Sequence, residues 1–591
     1  MGSRVVATCF FALTALAITA GSGRAPAPVE YRLTPELKAG ALIALGVRIR
    51  LSADSSGQMV LDLPDRGRGS SGRWKFISGI KVRGATARED GPAKRVLTSE
   101  PGAAIEVSYR VHSAYATDPS GEDGGANKGA VVRPNWFASL GLFAFATPEG
   151  RDDAPATFRW GPVPKGWTVG SDLDPVPGRG PMTVADIANS TTLGGTDVRL
   201  YSRPAKGGAI RIAIRGEWAF PEGRLVDDID TIVRAQRRFW SSAGGPYFVS
   251  VIPLAASPNV ISFNGNGLYD GFVLYGTDNV GEARLRRVLA HEHTHNWIPF
   301  KQGRLPDGPD QAADYWYSEG FTDFYTDRTL LRSGVWTAAD FVTHLNEVLR
   351  NYDTSPVRQA PNSRIVSDFW SNQAVSDLPY QRGYLLAFIW DREMRQATHG
   401  TADLDQVMFA MRDRYVTAPQ AAKPDLLASF ETTARTLTGV DVRPDVERFA
   451  IHGSAIELPR DLFGPCATIS TVTIPAFDLG FDAAAPAAKG VFSGVDPSGA
   501  AYRAGLRDGM KRITREGGEP GDSRVAITFR VADQSGRERV IRYKPEGKTT
   551  VTFQQAVLAP MAMERAKYCD EMSGVLGLAE PSLTFAPGRP D

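Results

Sequence analysis

Five consecutive residues near the middle of the chain, His291 to His295, constrain its fold most. They read His-Glu-His-Thr-His and so contain the pattern His-Glu-x-x-His. On an α-helix, residues four apart lie on one face, so His291 and His295 can direct their imidazoles at one metal ion. Glu292 lies one step round the helix, off the metal but near a water bound to it. His293 faces the other side and is expected to be a packing or surface residue.

A catalytic zinc site needs a third protein ligand and an open position for water. The segment Trp316–Tyr325 supplies the candidate, because its Glu319 follows His295 by 24 residues and can return on a second helix. Asp323 is one turn further along the same face and can accept the free ring N–H of a ligand histidine. The pattern therefore predicts one Zn²⁺ per chain, held by His291, His295 and Glu319, with Glu292 as the general base.

The first 25 residues are typical of a secretory signal peptide, with a positive start, an apolar run over 5–20 and small residues after it. We therefore predict an exported protein, periplasmic or extracellular; the alternative is an uncleaved membrane anchor. Cleavage leaves two cysteines, Cys466 and Cys569, an even number that makes them a disulfide candidate in an exported chain. The alternative is a pair of free thiols.

The remainder is too long for one hydrophobic core and changes character twice. Residues 26–197 show short alternating apolar runs between Gly and Pro clusters, which favours a β-sandwich-like domain. Residues 198–462 are predicted to be mainly helical. The apolar pattern of the zinc helix predicts that Arg287 faces solvent. Thr337 and Asp340 have the spacing of a capping box, which predicts the start of another helix. Residues 463–591 return to strands and turns. The expected fold class is multidomain α+β.

Three segments together resemble the glycyl aminopeptidase family of gluzincin zinc peptidases: the zinc motif, Trp316-x-x-Glu319-Gly-Phe-Thr, and Tyr380-Gln-Arg-Gly383. The resemblance implies a thermolysin-like catalytic domain between an N-terminal β domain and a C-terminal PDZ domain. It also implies that Tyr380 steadies the oxyanion, with Tyr384 as the competing position.

The last region, 463–591, is similar to a PDZ domain followed by a C-terminal extension. Phe477–Phe481 resembles a PDZ carboxylate-binding loop, and Ala500–Gly509 resembles the helix and turn that follow it. Met510 stands where an acidic residue is usual. Tail binding and a purely structural role are both open for this domain.

One segment before the zinc helix departs from the family pattern. Members carry a Gly-Gly-Leu-Glu-His-like sequence whose acidic residue is expected to meet the substrate's free amine. This chain has Asn266-Gly267-Leu268-Tyr269-Asp270 there, and the last four are the candidate substrate-binding residues. Asp270 can supply the charge one position along, but a one-residue slip on a strand reverses the side-chain face.

These features predict an exported zinc metallopeptidase acting on peptides or proteins, an aminopeptidase favouring small N-terminal residues such as Gly or Ala. One alternative is a zinc endopeptidase or dipeptidase without free-amine recognition. Another is a non-catalytic PDZ scaffold, against which Glu292 argues because a structural zinc needs no general base. A net charge of +1 indicates no nucleic-acid partner, and no stable membrane insertion is expected after signal cleavage. Oligomeric state is left open.

Overall fold

The computed structural model describes residues 27–560 except 66–71, 122–127, 256–261, 269, 279, 307, 420–421, 484–489 and 520. The predicted signal peptide, Tyr269 and Cys569 lie outside these residues. The described chain is a multidomain α+β protein with several sheets and a large helical region. None of its helices combines the length and hydrophobicity that crossing a bilayer requires.

The N-terminal part consists of three sheets, in which buried and exposed residues alternate along many of the strands. The first has the strand order β13-β11-β1-β2-β7-β4, the second β10-β3-β6-β5 and the third β12-β14-β9-β8. The elements are β1 Val29–Lys38, β2 Ala41–Ser52, β3 Gln58–Asp62, β4 Ile77–Arg83, β5 Thr86–Glu89, β6 Lys94–Thr98, β7 Ala104–Val111, β8 Val131–Arg133, β9 Trp136–Leu140, α1 Gly141–Ala144, β10 Thr147–Pro148, β11 Pro155–Trp160, β12 Thr168–Ser171, β13 Met182–Thr183, α2 Val184–Ala188 and β14 Thr191–Gly195.

A five-stranded mixed sheet follows, with the order β15-β16-β17-β19-β18. Helices α3 and α4 pack on it through one apolar cluster that includes Leu225, Leu289 and Leu274. The edge strand β18 is antiparallel to β19 and lies beside α4. The elements are β15 Val198–Ala205, β16 Gly208–Arg215, α3 Glu222–Phe239, β17 Tyr247–Pro253, β18 Phe263–Gly267, β19 Gly271–Gly276 and α4 Glu282–Thr294.

The helical region surrounds α5, whose residues are almost all buried. Helix α8 crosses α5 where two glycines meet: a Cβ on Gly383 would lie 1.6 Å from the carbonyl oxygen of Trp316 and 2.9 Å from the Cα of Gly320. This close approach brings the first half of α8 to the residue before Gly320. The helices are α5 Tyr315–Arg332, α6 Ala338–Thr354, α7 Asn362–Asp368, α8 Gln373–Ala397, α9 Leu404–Thr417, α10 Leu426–Thr438 and α11 Arg443–Asp445.

The C-terminal strands form two separate sheets. Strands β20 (Ala467–Phe477) and β24 (Glu546–Leu558) make a long antiparallel ribbon. This ribbon contributes Ala467, Ile469 and Ala556 to the same hydrophobic core as helices α5 and α8. A second core, with Phe492 and Phe529, belongs to the segment between the two ribbon strands. That segment contains α12 Ala500–Arg503, β21 Lys511–Glu516, β22 Ile527–Ala532 and β23 Glu538–Tyr543.

The loop that resembles a PDZ carboxylate-binding loop is occupied by contacts within its own unit. The backbone N–H of Gly480 donates to Oδ1 of Asp478 at 2.8 Å, and the backbone N–H of Asp478 donates to the Pro545 carbonyl at 2.9 Å, so these two donors of the loop are already used. Among the described residues between β21 and β22, none is helical.

Candidate metal centre and active site

Three predicted ligands converge between α4 and α5. The Nε2 atom of His291 lies 3.3 Å from Oε2 of Glu319, and the Nε2 atom of His295 lies 3.4 Å from the same oxygen. One ligand atom from each residue lies within 4.8 Å of the others. His295 caps the helix but keeps right-handed helical dihedrals, which preserves the i, i+4 relation. The three side chains can therefore bind one metal ion.

Hydrogen bonds fix how both imidazoles point. The Nδ1 atom of His291 is 2.8 Å from Oδ1 of Asp323, and the Nδ1 atom of His295 is 2.8 Å from the carbonyl oxygen of Ile298. Because Nδ1 donates to an oxygen in each ring, Nε2 is left with its lone pair toward the ligand cluster. Two neutral imidazoles and one carboxylate are the donor set of a catalytic zinc site, and the residues present fit that ion.

The charges around the cluster favour a cation. Burial lowers the pKa of His291, but the carboxylates of Asp323 and Glu319 outweigh it and raise the pKa to about 10. Burial raises the pKa of Glu319, but the two histidines outweigh it and hold the pKa well below its usual range. Protons and a metal ion therefore compete for the same imidazole atoms.

A buried ion-pair network supports Asp323 from behind. The Nη2 atom of Arg287 lies 2.8 Å from Oδ1 of Asp323 in an ion pair, and its Nε–H donates to Oδ1 of Asp327 at 3.0 Å. The other Asp327 oxygen accepts the hydroxyl of Tyr384 at 2.8 Å. Arg287 is one turn before His291 on α4, and its side chain is 20% exposed. The prediction that Arg287 faces solvent is wrong, because α5 covers that side of α4.

Glu292 lies outside the ligand set and against the edge strand β18. Its Oε2 accepts the backbone N–H of Gly267 at 2.7 Å. A Cβ on Gly265 would lie 2.6 Å from its Oε1, so only a glycine allows the strand this close. The strand thereby holds the carboxylate beside the two histidine ligands.

The two candidate tyrosines of α8 have different surroundings. The ring of Tyr380 stacks on the ring of His291, with centroids 6.2 Å apart and planes at 24°. Burial, and then the nearby charge of Glu319, raise the pKa of the Tyr380 hydroxyl well above its ordinary value. Tyr384 is 1% exposed and its hydroxyl is bound to Asp327. Of the two, Tyr380 is the one against the ligand cluster.

Leu268 and Asp270, two further predicted substrate-binding residues, lie between β18 and β19. The backbone N–H of Leu268 donates to the Gly271 carbonyl at 2.9 Å, which closes the turn. The Asp270 carboxylate lies 3.5 Å from Nη1 of Arg179, a residue of the N-terminal part. The Asp270 carboxylate, which is the candidate for binding the free amine of a substrate, therefore already lies beside the Arg179 guanidinium.

Two further side chains of the sequence analysis have defined surroundings. His293 is 2% exposed, and its Nδ1 lies 2.6 Å from Oε1 of Gln236, as a packing residue would. Cys466 is fully buried and disulfide-bonded. Its predicted partner, Cys569, lies outside the described residues, so the pairing stays a prediction.

Comparison with known proteins agrees with this geometry. Residues 284–377 match the family model described as M61 glycyl aminopeptidase, a stretch that includes all three ligands. No curated protein is significantly similar in sequence to this chain.

Two solved structures align with much of this chain. One is an aminopeptidase N family protein from Idiomarina loihiensis, with 14% identity over 93% of this chain and 100% of that chain and a TM-score of 0.63. The other is an M1 zinc metallopeptidase from Deinococcus radiodurans, with 17% identity over 73% and 95% and a TM-score of 0.47.

The donor set and the family match together define an aminopeptidase-like zinc metallopeptidase, and the first of these two structures shows the fold. More narrowly, residues 284–377, which carry the ligands, match the M61 glycyl aminopeptidase model. The predicted resemblance to that family is confirmed.

Proposed function

We propose that this chain is exported, hydrolyses peptide bonds at a single zinc ion and releases N-terminal residues from peptides or proteins. The observation that carries the proposal is a carboxylate, Glu292, held beside three converging ligands without being one of them. A structural metal site needs no such group. When bound, zinc lowers the pKa of its water toward about 7 and polarises the substrate carbonyl.

Residues of the chain transfer the proton, stabilise the oxyanion and align the substrate. Glu292 receives the proton of the attacking water on Oε1, beside which Gly265 leaves space, and passes it to the leaving amine. Tyr380 donates its hydroxyl proton as a hydrogen bond to the developing oxyanion, since its raised pKa keeps it protonated. The edge strand β18 aligns an extended substrate by backbone hydrogen bonds.

Glu292→Gln tests the assignment. The variant should keep the metal, because Glu292 is not a ligand, and should lose at least ~10²-fold in kcat, because the general base is gone. Elemental analysis and peptide hydrolysis measure the two effects. Glu282→Gln on the same helix is the matched control and should leave kcat within a factor of about two. Normal turnover in Glu292→Gln would refute the proposal.

The free-amine requirement is a separate question. The family match favours an aminopeptidase for small N-terminal residues. The Asp270–Arg179 contact favours an endopeptidase or dipeptidase. The reason is that Arg179 partly neutralises Asp270, the carboxylate one position from the place where the family has its amine-binding acid. A library of Gly- and Ala-initiated peptides, each with a free and an N-acetylated terminus, decides between them. Equal cleavage of both forms would reject the aminopeptidase.

The export of the chain also belongs to this proposal. A signal peptide in the first 25 residues accounts for the apolar run there. N-terminal sequencing of the protein purified from its native host should begin near residue 21 or 26. An intact Met1 on the mature protein would reject cleavage.

A further inference from the structure

A row of cations crosses the outer face of the six-stranded sheet. Arg159 of β11 is in register with Arg32 of β1, which is in register with Arg48 of β2. The row continues through Ser108 of β7 to Lys81 of β4. The residues before and after each of these along its strand are buried or half-buried, and all four cations are exposed. Five adjacent strands therefore present four positive charges in one line.

This arrangement is unfavourable without a partner. Like charges directly opposite on neighbouring strands repel, and Arg32 faces an arginine on both sides. Two acids beside the row bind other arginines more closely: Glu106 lies 2.8 Å from Arg50 and 3.9 Å from Arg48 of the row, and Glu36 lies 2.5 Å from Arg110. Within the described residues, Arg32, Arg159 and Lys81 form no ion pair.

Two adjoining hollows lie along the row. One has a volume of about 340 Å³, and the other about 100 Å³; both are lined by Arg32 and Arg48. Gly46 and Gly79, which have no side chains, line the larger one. Six cations and two carboxylates line the hollows together, on a chain with a net charge of only +1. The excess positive charge is therefore local to this face.

The geometry restricts what can bind. Strands about 4.8 Å apart make the row roughly 19 Å long, and a twist of about 20–25° per strand turns it through roughly 90°. A flat lipid surface cannot touch all four cations of a twisted row, but a flexible linear chain can follow it. The two aromatic residues that line the hollows, Tyr31 and Tyr109, are buried, and their hydroxyls donate inward to the carbonyls of Ala146 and Ala144. The hollows therefore offer nucleic-acid bases no exposed aromatic ring to stack on.

The chemistry of the lining favours a sugar polymer. Guanidinium groups bind sulfate, phosphate and carboxylate groups in pairs of hydrogen bonds. The two carboxylates among them, Glu30 and Glu36, and the hydroxyl of Thr157 can pair with hydroxyl groups. We propose that this cationic row binds a linear anionic polysaccharide, independently of the peptidase site.

The test uses the full-length chain and immobilised heparin, a sulfated polysaccharide, in 0.15 M salt, with neutral dextran as the blank. The triple variant Arg32→Gln/Arg48→Gln/Arg159→Gln should bind heparin about tenfold or more weakly. The matched control removes three exposed arginines of the C-terminal unit, Arg537→Gln/Arg539→Gln/Arg542→Gln, and should stay within about twofold. Unchanged peptide hydrolysis and circular dichroism in both variants show that they fold.

Three results would overturn the proposal. The first is an absence of heparin binding by the unmodified chain, and the second is an equal loss in both triple variants, which would mean attraction to overall charge. The third is row-dependent binding of phosphatidylglycerol vesicles or single-stranded DNA at least as strong as that of heparin, which would assign the row to a lipid surface or a nucleic acid instead.

Discussion

At the scale of single residues, the metal site depends on side chains that do not touch the metal. His291 is oriented by Asp323, and Asp323 is held by Arg287, which also binds Asp327. Truncating Arg287 would leave two buried carboxylates facing each other without their cation. Buried partners of this kind are costly to remove, because the remaining charge loses its compensation.

We therefore expect Arg287→Met to weaken metal binding by about 10–100-fold, the usual effect of losing such a supporting contact. Competition with a chromogenic chelator measures the affinity. Arg287→Lys should recover part of it, whereas Arg284→Met, an exposed residue on the same helix, should change nothing. Normal metal affinity in Arg287→Met would show that Asp323 needs no support.

The two tyrosines of α8 should separate catalysis from stability. Tyr380→Phe should lower kcat by about 10²–10³-fold with little change in KM, because it removes a donor used in the transition state. Tyr384→Phe should instead lower the free energy of unfolding by about 1–3 kcal/mol, because the buried Asp327 loses a donor. Steady-state kinetics and urea unfolding of both variants distinguish the roles. A reversed outcome would exchange them.

The sequence predicts those features of the site and fold that depend only on residues close together along the chain. The i, i+4 spacing of His291 and His295 and the capping box of Thr337 and Asp340 both follow from helix geometry, and the structure has both helices. Burial of Arg287 does not follow from the pattern of α4 alone, since it depends on how α5 packs. The contact between Gly267 and Glu292 likewise needs the sheet and the helix in place together.

At the scale of elements, close backbone approach decides where the site forms. Glycines at the crossing of α5 and α8 let Tyr380 reach the ligand cluster, and glycines in β18 let the strand reach Glu292. A similar contact lies between β19 and the residue that follows β12: the Cβ of the buried Asp172 is 3.3 Å from the position of a Cβ on Gly271. This carboxyl is held at the junction of the N-terminal part and the peptidase sheet.

The Asp172 junction predicts a dependence of stability on pH. Burial raises the pKa of Asp172 to about 7, from an ordinary value of 3.8. The folded state therefore binds this proton more tightly than the unfolded state, so the stability present below pH 3.8 is lost as the pH rises to about 7. Asp172→Asn, which keeps the shape but cannot ionise, should remove that loss.

Urea unfolding at several pH values measures the effect. The difference in unfolding free energy between Asp172→Asn and the unmodified chain should grow in favour of the variant from pH 4 to pH 7 and then level off. Taking the difference cancels the titration of other groups. Asp174→Asn, a neighbour bound to Arg211, is the control and should not show this trend. A flat difference curve for Asp172→Asn would contradict the prediction.

At the scale of the whole molecule, the C-terminal ribbon belongs physically to the helical region. The side chain of Asn346 on α6 exchanges two hydrogen bonds with the backbone of Ala556, and Gln554 exchanges two with the backbone of Leu458. We propose that the peptidase unit includes β20 and β24, and that the predicted PDZ-like unit is an insertion between them. Glycine patterns in the sequence indicate such a unit, but they do not show which core its flanking strands join.

This organisation predicts that the insertion can be removed while the ribbon cannot. Phe477 is in register with Glu546, so a two-residue Asn-Gly turn can replace residues 478–545 and close the ribbon as a hairpin. That variant should unfold cooperatively, bind one zinc ion and cleave peptides. Deleting everything after residue 462 should instead give an insoluble chain, because the apolar surface that Ile469 and Ala556 cover would be exposed. Loss of metal binding in the hairpin variant would mean that the inserted unit stabilises the site, through contacts such as that of Asp522 with Arg350.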